Sequence, residues 1–198
     1  MNILLTGGFF GSGKTTVLSK ITALLLSRGL RICIIENEIG QNSIDDLLLK
    51  TGSVEISTIT GGCICCQISG SLIEALRKME ESLKPDWVLV ELTGAAFADA
   101  VVDSLRVYLP GEHRLTVMAV ADAARWPVLM KAAKPMIQRQ LRGANVIAVN
   151  KADEAKDLDD VMEQVRSLMP ECQVLSLSAV SENCSALLTL LEQEAMVL

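Results

Sequence analysis

Aromatic side chains make up only 3% of this 198-residue chain, histidine occurs once and proline five times. A surface so poor in aromatics offers no platform on which unpaired bases stack. Lysine and arginine total 18 against 24 acidic residues, a net charge of −6, and no basic cluster interrupts that balance. Such a chain is a poor electrostatic match for a nucleic-acid backbone. No apolar run approaches the ~18 residues that a membrane helix requires. The first residues already read as a strand, so no signal peptide is expected. These absences predict a soluble, cytoplasmic protein with neither nucleic acid nor membrane among its partners. The single histidine, His113, falls in a Pro-Gly-Glu-His turn. It is expected in solvent, which argues against histidine acid–base chemistry.

What the chain does have is aliphatic. Half of its residues are hydrophobic, enough for a core on both faces of a sheet. The short apolar run at 2–6 runs straight into glycines, as a buried parallel strand does. Gly8-Phe9-Phe10-Gly11-Ser12-Gly13-Lys14-Thr15 follows, a complete G-x4-G-K-[ST] phosphate-binding loop. Beyond it Val17, Leu18, Ile21, Leu24 and Leu25 recur at helical spacing up to Gly29. Glycines let successive backbone N–H groups close around a phosphate chain, and the helix N-terminus adds a favourable field for anions. Gly8, Gly11, Ser12, Gly13, Lys14, Thr15 and Thr16 are therefore the candidate phosphate contacts. Lys14 is placed to reach the β- and γ-phosphates, and the Thr15 hydroxyl to bind Mg²⁺.

Further strands are expected at 30–36, 54–58, 87–91, 115–121, 145–149 and 173–177. Helices are expected at 44–50, 70–83, 98–108, 157–168 and 185–195, with another helical stretch punctuated by Pro127 and Pro135. Strand alternating with helix implies right-handed crossovers. The predicted fold is α/β, a three-layer P-loop NTPase with a mostly parallel sheet and helices on both faces, in one domain over 1–198. Ligands in such sheets bind beyond the carboxyl ends of the strands. The phosphate loop, Glu36, Glu91 and Asn150 to Asp153 all fall there, which points to one site.

Asn150-Lys151-Ala152-Asp153 directly follows an apolar strand. A carboxylate at Asp153 can accept from the N1–H and exocyclic amine of guanine, whereas adenine lacks that donor pair. Asn150 can tie neighbouring loops together, and the Lys151 stem can lie along the base. Ser178 and Ala179 end a later strand, where the Ala179 N–H can meet the guanine O6. GTP is thus favoured over ATP. Asp122, after its own strand, reads as a helix cap.

Of six cysteines, Cys33, Cys172 and Cys184 are scattered and read as small core residues. The other three lie in Gly61-Gly62-Cys63-Ile64-Cys65-Cys66. Cys63, Cys65 and Cys66 can converge on one soft or borderline ion, with Glu36 or Glu38 as a further ligand. Thiolates suit Zn²⁺, and Co²⁺ or Ni²⁺ fit similar sites. Buried packing beside a glycine turn is the competing reading.

Together with the phosphate loop, Glu36-Asn37-Glu38-Ile39-Gly40, Gly62-Cys63-Ile64-Cys65-Cys66 and Glu91-Leu92-Thr93-Gly94, the chain resembles the CobW-like GTPases of the SIMIBI class of P-loop proteins. Relatives of that class deliver nickel to urease and hydrogenase. The resemblance implies a metal-binding GTPase acting as a metallochaperone or activator of a client metalloprotein. It assigns the cysteines to metal, Asp45 to the first switch and Glu91 to Gly94 to the second. Lys14, Asp45 and Glu91 are then the catalytic candidates, with the Gly94 N–H sensing the γ-phosphate. Gln41 stands where many relatives carry Glu, and the run Thr93 to Ala100 lacks the usual proline. Longer relatives continue into a second domain, so this chain is expected to be a short form without it. Slow intrinsic hydrolysis is expected, accelerated by a partner or by a nucleotide-dependent homodimer. A P-loop small-molecule kinase, a non-hydrolysing metal-binding regulator and a GTPase activating a corrinoid or redox protein remain open.

Overall fold

The computed structural model describes residues 1–36, 54–58, 67–109 and 111–198. The helix expected at 44–50, Asp45, Glu38, Gln41 and the cysteines at 63, 65 and 66 lie outside them. In chain order the elements are β1 (Asn2–Gly7), α1 (Lys14–Ser27), β2 (Ile32–Glu36), β3 (Val54–Thr58) and α2 (Gln67–Ser82). Next come β4 (Trp87–Glu91), α3 (Ala98–Tyr108), β5 (Arg114–Asp122), α4 (Trp126–Leu141) and β6 (Val146–Asn150). A single 3₁₀ turn (Ala152–Glu154), α5 (Leu158–Leu168), β7 (Gln173–Ser176), α6 (Ser185–Gln193) and β8 (Met196–Val197) complete the chain.

The sheet runs β3-β2-β4-β1-β5-β6-β7, all parallel, with β8 antiparallel against the start of β5. Residues of the central strands alternate between two cores, because successive side chains leave a strand on opposite faces. Ile3, Leu5, Val88, Val90, Val117 and Val149 pack with α2, α3, α4 and α5. Leu4, Ile34, Leu89, Val120 and Ala148 pack with α1 and α6. Strands covered on both sides explain why they read as continuous apolar runs, and the α/β three-layer expectation holds.

Register places the chemistry. Glu91 is the Cα partner of Thr6 on one side and of Glu36 on the other, while Asp122 pairs with Asn150. The polar residues thus line up at one edge of the sheet, on either side of β1, where the order of strands reverses. α4 carries the expected interruption: Ala133 is non-helical (φ −142°, ψ 28°) two residues before Pro135, whose ring and missing N–H disrupt an α-helix.

Two expectations fail. His113 is not in solvent but 2% exposed, with Gly111 against its ring and Glu80 Oε2 3.7 Å from its Nε2. The returning C-terminus reaches its backbone, where the Leu198 N–H donates to the His113 carbonyl (2.9 Å). The last helix also stops at Gln193, short of 195. β6 begins to pair only at Met118, so the edge of β5 at Arg114 and Leu115 is open, and Val197 and Met196 fill it.

Candidate functional site

The loop between β1 and α1 turns through left-handed conformations at Gly11 (φ 69°) and Gly13 (φ 94°), and Gly13 is the N-cap of α1 without a side-chain cap. A Cβ at Gly13 would collide with Asn150 Nδ2, so the residue must be glycine for conformation and for space. Ser12 is fully buried, and its hydroxyl has no hydrogen-bond partner among the described residues. Lys14 is 7% exposed, with Nζ donating to the Gly8 (3.1 Å) and Phe9 (3.3 Å) carbonyls. Burial pushes its pKa down, and the nearby Glu91 carboxylate opposes that shift.

Glu91, at the end of β4, receives the Thr15 hydroxyl at 3.0 Å from each oxygen. Burial raises its pKa, against the opposing effects of the Thr15 hydrogen bond and the Lys14 charge. For the Lys14 ammonium and the half-buried Glu91 carboxylate, the cost of burial outweighs the Thr15 hydrogen bond and their mutual attraction. Glu36 is 6% exposed at the end of β2 beside Glu91. Gly94 lies against Phe10, where a Cβ would come 2.6 Å from the ring and 2.7 Å from the Phe10 nitrogen. Its carbonyl accepts from Gln140 Nε2 at 2.6 Å.

The far side of the loop is built differently. Asn150 Nδ2 donates to the Ser12 carbonyl (2.9 Å) while its Oδ1 accepts from the Ala179 N–H (3.0 Å). It does tie three loops together, and it engages the N–H expected to face a base. Ser178 Oγ accepts from the Asp153 N–H (3.1 Å), and the Ser178 N–H donates to Glu182 (3.0 Å). Asp153 is held by its backbone with its side chain at the surface. Lys151 (φ 61°) sends Nζ to the Gly11 carbonyl (2.8 Å) and to Asp122 Oδ2 (2.7 Å).

Asp122 and Gln140 were not singled out as site residues by sequence reasoning. The cap role read for Asp122 covers only its Oδ1, which accepts from the Arg125 N–H (2.9 Å). Burial works against its charge, but hydrogen bonds from Lys151 and from the Arg125 backbone and side chain hold its carboxyl below the usual range. An acidic residue ending a strand that borders β1 was the available signal; for Gln140 there was none. Among the described residues no group of three or more His, Cys, Asp or Glu side chains is arranged around a metal, and no helix is long and apolar enough to cross a membrane. Burial and neighbouring acids push the Cys172 and Cys184 thiols up, in keeping with inert packing residues.

Comparison with known proteins fits this geometry. The zinc chaperone YjiA of Escherichia coli is 30% identical over 189 residues, covering 89% of this chain and 57% of that protein. Zinc-regulated GTPase metalloprotein activator 1 of Dictyostelium discoideum is 23% identical over 197 residues, 85% of this chain and 39% of the relative. The chain thus spans only about half the length of such relatives. The hydrogenase maturation factor HypB of Archaeoglobus fulgidus superposes with a TM-score of 0.74 at 15% identity, covering 98% of this chain and 89% of that one, a likeness of fold alone. Residues 2–176 match the family described as CobW/HypB/UreG, nucleotide-binding domain, and the chain belongs to that family.

Proposed function

We propose that this chain binds and hydrolyses GTP and couples the nucleotide to a bound metal ion, as a metallochaperone or activator of a client metalloprotein in the cytoplasm. The observation that carries the reading is the meeting of Lys14, Thr15 and Glu91 beneath a glycine loop whose other side is tied to Asn150 and Lys151. In it, the loop N–H groups and Lys14 take the triphosphate, and an anion there relieves the burial cost of the ammonium. Asp153 receives the guanine N1–H and amine, Ser178 holds Asp153 in place, and Asn150 keeps base and phosphate loops in register.

Thr15 and Glu91 are hard oxygen donors of the kind Mg²⁺ takes, and a cation beside them would offset the burial that raises the Glu91 pKa. A Mg²⁺ ion held by Thr15 and Glu91 would offset the negative charge of the triphosphate. Water attacks the γ-phosphorus, the bond to the β-phosphate oxygen breaks, and GDP and phosphate leave. Glu91 or Asp45 orients that water, and the Gly94 N–H faces the transferred group. Turnover is slow in the isolated chain and is accelerated by a partner or by a second copy.

Cys63, Cys65 and Cys66, with Glu36 as further ligand, hold the cargo ion, Zn²⁺ in the first instance and otherwise Co²⁺ or Ni²⁺. The names of the relatives support zinc. The test is GTP turnover and Zn²⁺ affinity measured together, on wild type and Cys65→Ala/Cys66→Ala, with GDP and with a non-hydrolysable GTP analogue. The expected result is a metal affinity that depends on nucleotide and disappears in the variant. Equal zinc affinity in both nucleotide states overturns the coupling.

A further inference from the structure

The Asp122 side chain is completely buried and lies between two cations. Its Oδ2 receives Arg125 Nε and Lys151 Nζ, both at 2.7 Å. Each cation also donates to the phosphate loop: Arg125 Nη2 to the Phe10 carbonyl (2.7 Å) and Lys151 Nζ to the Gly11 carbonyl (2.8 Å). One carboxylate therefore fixes two cations on consecutive carbonyls of the loop's outer rim. Charge-assisted bonds of this kind are short and directional.

The next link is steric. Phe10 is 52% exposed, so burial does little to hold it; its carbonyl is held by Arg125 and its ring meets Phe9 edge-on. Gly94 has no slack against Phe10, since even a Cβ would overlap the ring and nitrogen. The Gly94 carbonyl is tied from the other side by Gln140. Phe10 cannot shift towards Gly94 unless Gly94 gives way, and if Phe10 moves away Gly94 loses that wall.

We propose that Asp122 and Arg125 are positioning residues for hydrolysis, a clamp that fixes Phe10 and, through it, the Gly94 peptide that faces the transferred phosphoryl group. The proposal rests on the GTPase reading above. Arg125 acts through Phe10 and not on the substrate. Its planar fork gives the two tasks to two nitrogens, Nε on Asp122 and Nη2 on Phe10, a fixed geometry that a flexible lysine stem does not reproduce.

The experiment uses the full chain with Mg²⁺: GTP turnover, and affinity for GDP and for a non-hydrolysable GTP analogue. The proteins are wild type, Arg125→Ala, Arg125→Lys, Asp122→Asn and the double variant. Arg28→Ala, which removes a surface pair with Glu192, is the control and stays at wild-type values. Arg125→Ala is expected to lower kcat about tenfold with KM changed less than about threefold, because the reacting geometry is lost and the phosphate contacts remain. Its analogue-to-GDP affinity ratio falls as well, and Arg125→Lys stays nearer to Arg125→Ala than to wild type, all measured well below the ligand-free melting temperature of every variant. Asp122→Asn loses more, in affinity as well as in kcat, because Lys151 is released too. The double variant is within about twofold of Asp122→Asn, since both changes break one network.

Wild-type kcat and affinity ratio in Arg125→Ala overturn the clamp, as does a loss of kcat that equals the loss of folded protein at the assay temperature. If wild type binds guanine nucleotide without turnover, hydrolysis is lost from the reading and the affinity ratio still decides the clamp. A wild type that binds no guanine nucleotide overturns both.

Discussion

The two sides of the phosphate loop handle charge in opposite ways. Towards β4, burial drives Lys14 and Glu91 away from their charged forms, and the hydroxyl of Thr15 is the main hydrogen bond that Glu91 receives. Towards β5 and β6, Asp122 is more fully enclosed than Glu91, yet three N–H donors favour its ionised form. The first side is electrostatically incomplete without a ligand; the second is complete in itself. Burial alone therefore does not set the state of a group: partners do. The lesson for function is a division of labour, in which the base side is a preformed frame and the phosphate side gains most when ligand arrives.

The comparison is broken most directly at Lys14. Lys14→Ala is expected to weaken nucleotide binding by roughly 100-fold or more, about 3 kcal/mol of charge-assisted bonding to phosphate. The same change leaves the ligand-free melting temperature unchanged or raised, because a costly buried charge is removed. Calorimetric titration beside thermal unfolding checks both halves. A fall in ligand-free stability would mean that the Gly8 and Phe9 carbonyls already satisfy the ammonium.

On the other side, Asp153→Asn is expected to lower GTP affinity by roughly 10- to 100-fold, the cost of an unpaired polar contact of about 1–3 kcal/mol. Stability is untouched, since the frame holds Asp153 by its backbone. Competition between GTP and ATP, followed by displacement of a fluorescent nucleotide, measures it.

Acidity separates the two sides further. Glu91 has a raised pKa, so its contribution to folding is present below the ordinary glutamate range and is lost as pH rises through the raised value. Its hold on a cation runs the other way, because only the carboxylate binds. Mg²⁺-dependent nucleotide affinity is therefore expected to fall as pH drops from neutrality through that raised range. Asp122 has a lowered pKa, so its stabilisation persists above the ordinary aspartate range and is lost only as pH falls through and below it. The fold should outlast the Mg²⁺ dependence on acidification; simultaneous loss would erase the distinction. The smallest effect is expected from Ser178→Ala, under about 1 kcal/mol in GTP affinity, since water can replace the hydroxyl at the part-buried Asp153 N–H.

Much of this was legible before any coordinates. β4 and α3 fall at the residues where apolar runs and helical spacing put them, and the G-x4-G-K-[ST] spacing located the loop. Such signals are local: they record which face of a strand or helix is buried and where glycine must turn the chain. His113 was misplaced because residues distant in sequence meet it: Glu80 of α2 at its ring and Leu198 at its carbonyl. The same holds for Asp122, a cap by its neighbours and a clamp by its partners. Arg125 meets Phe10 across 115 residues, and Lys151 meets Gly11 across 140. Motif spacing can name the residue types that phosphate and guanine require. Which buried charge is satisfied and which waits for a ligand depends on what the parallel crossovers bring alongside, and that pairing has no local periodicity to announce it.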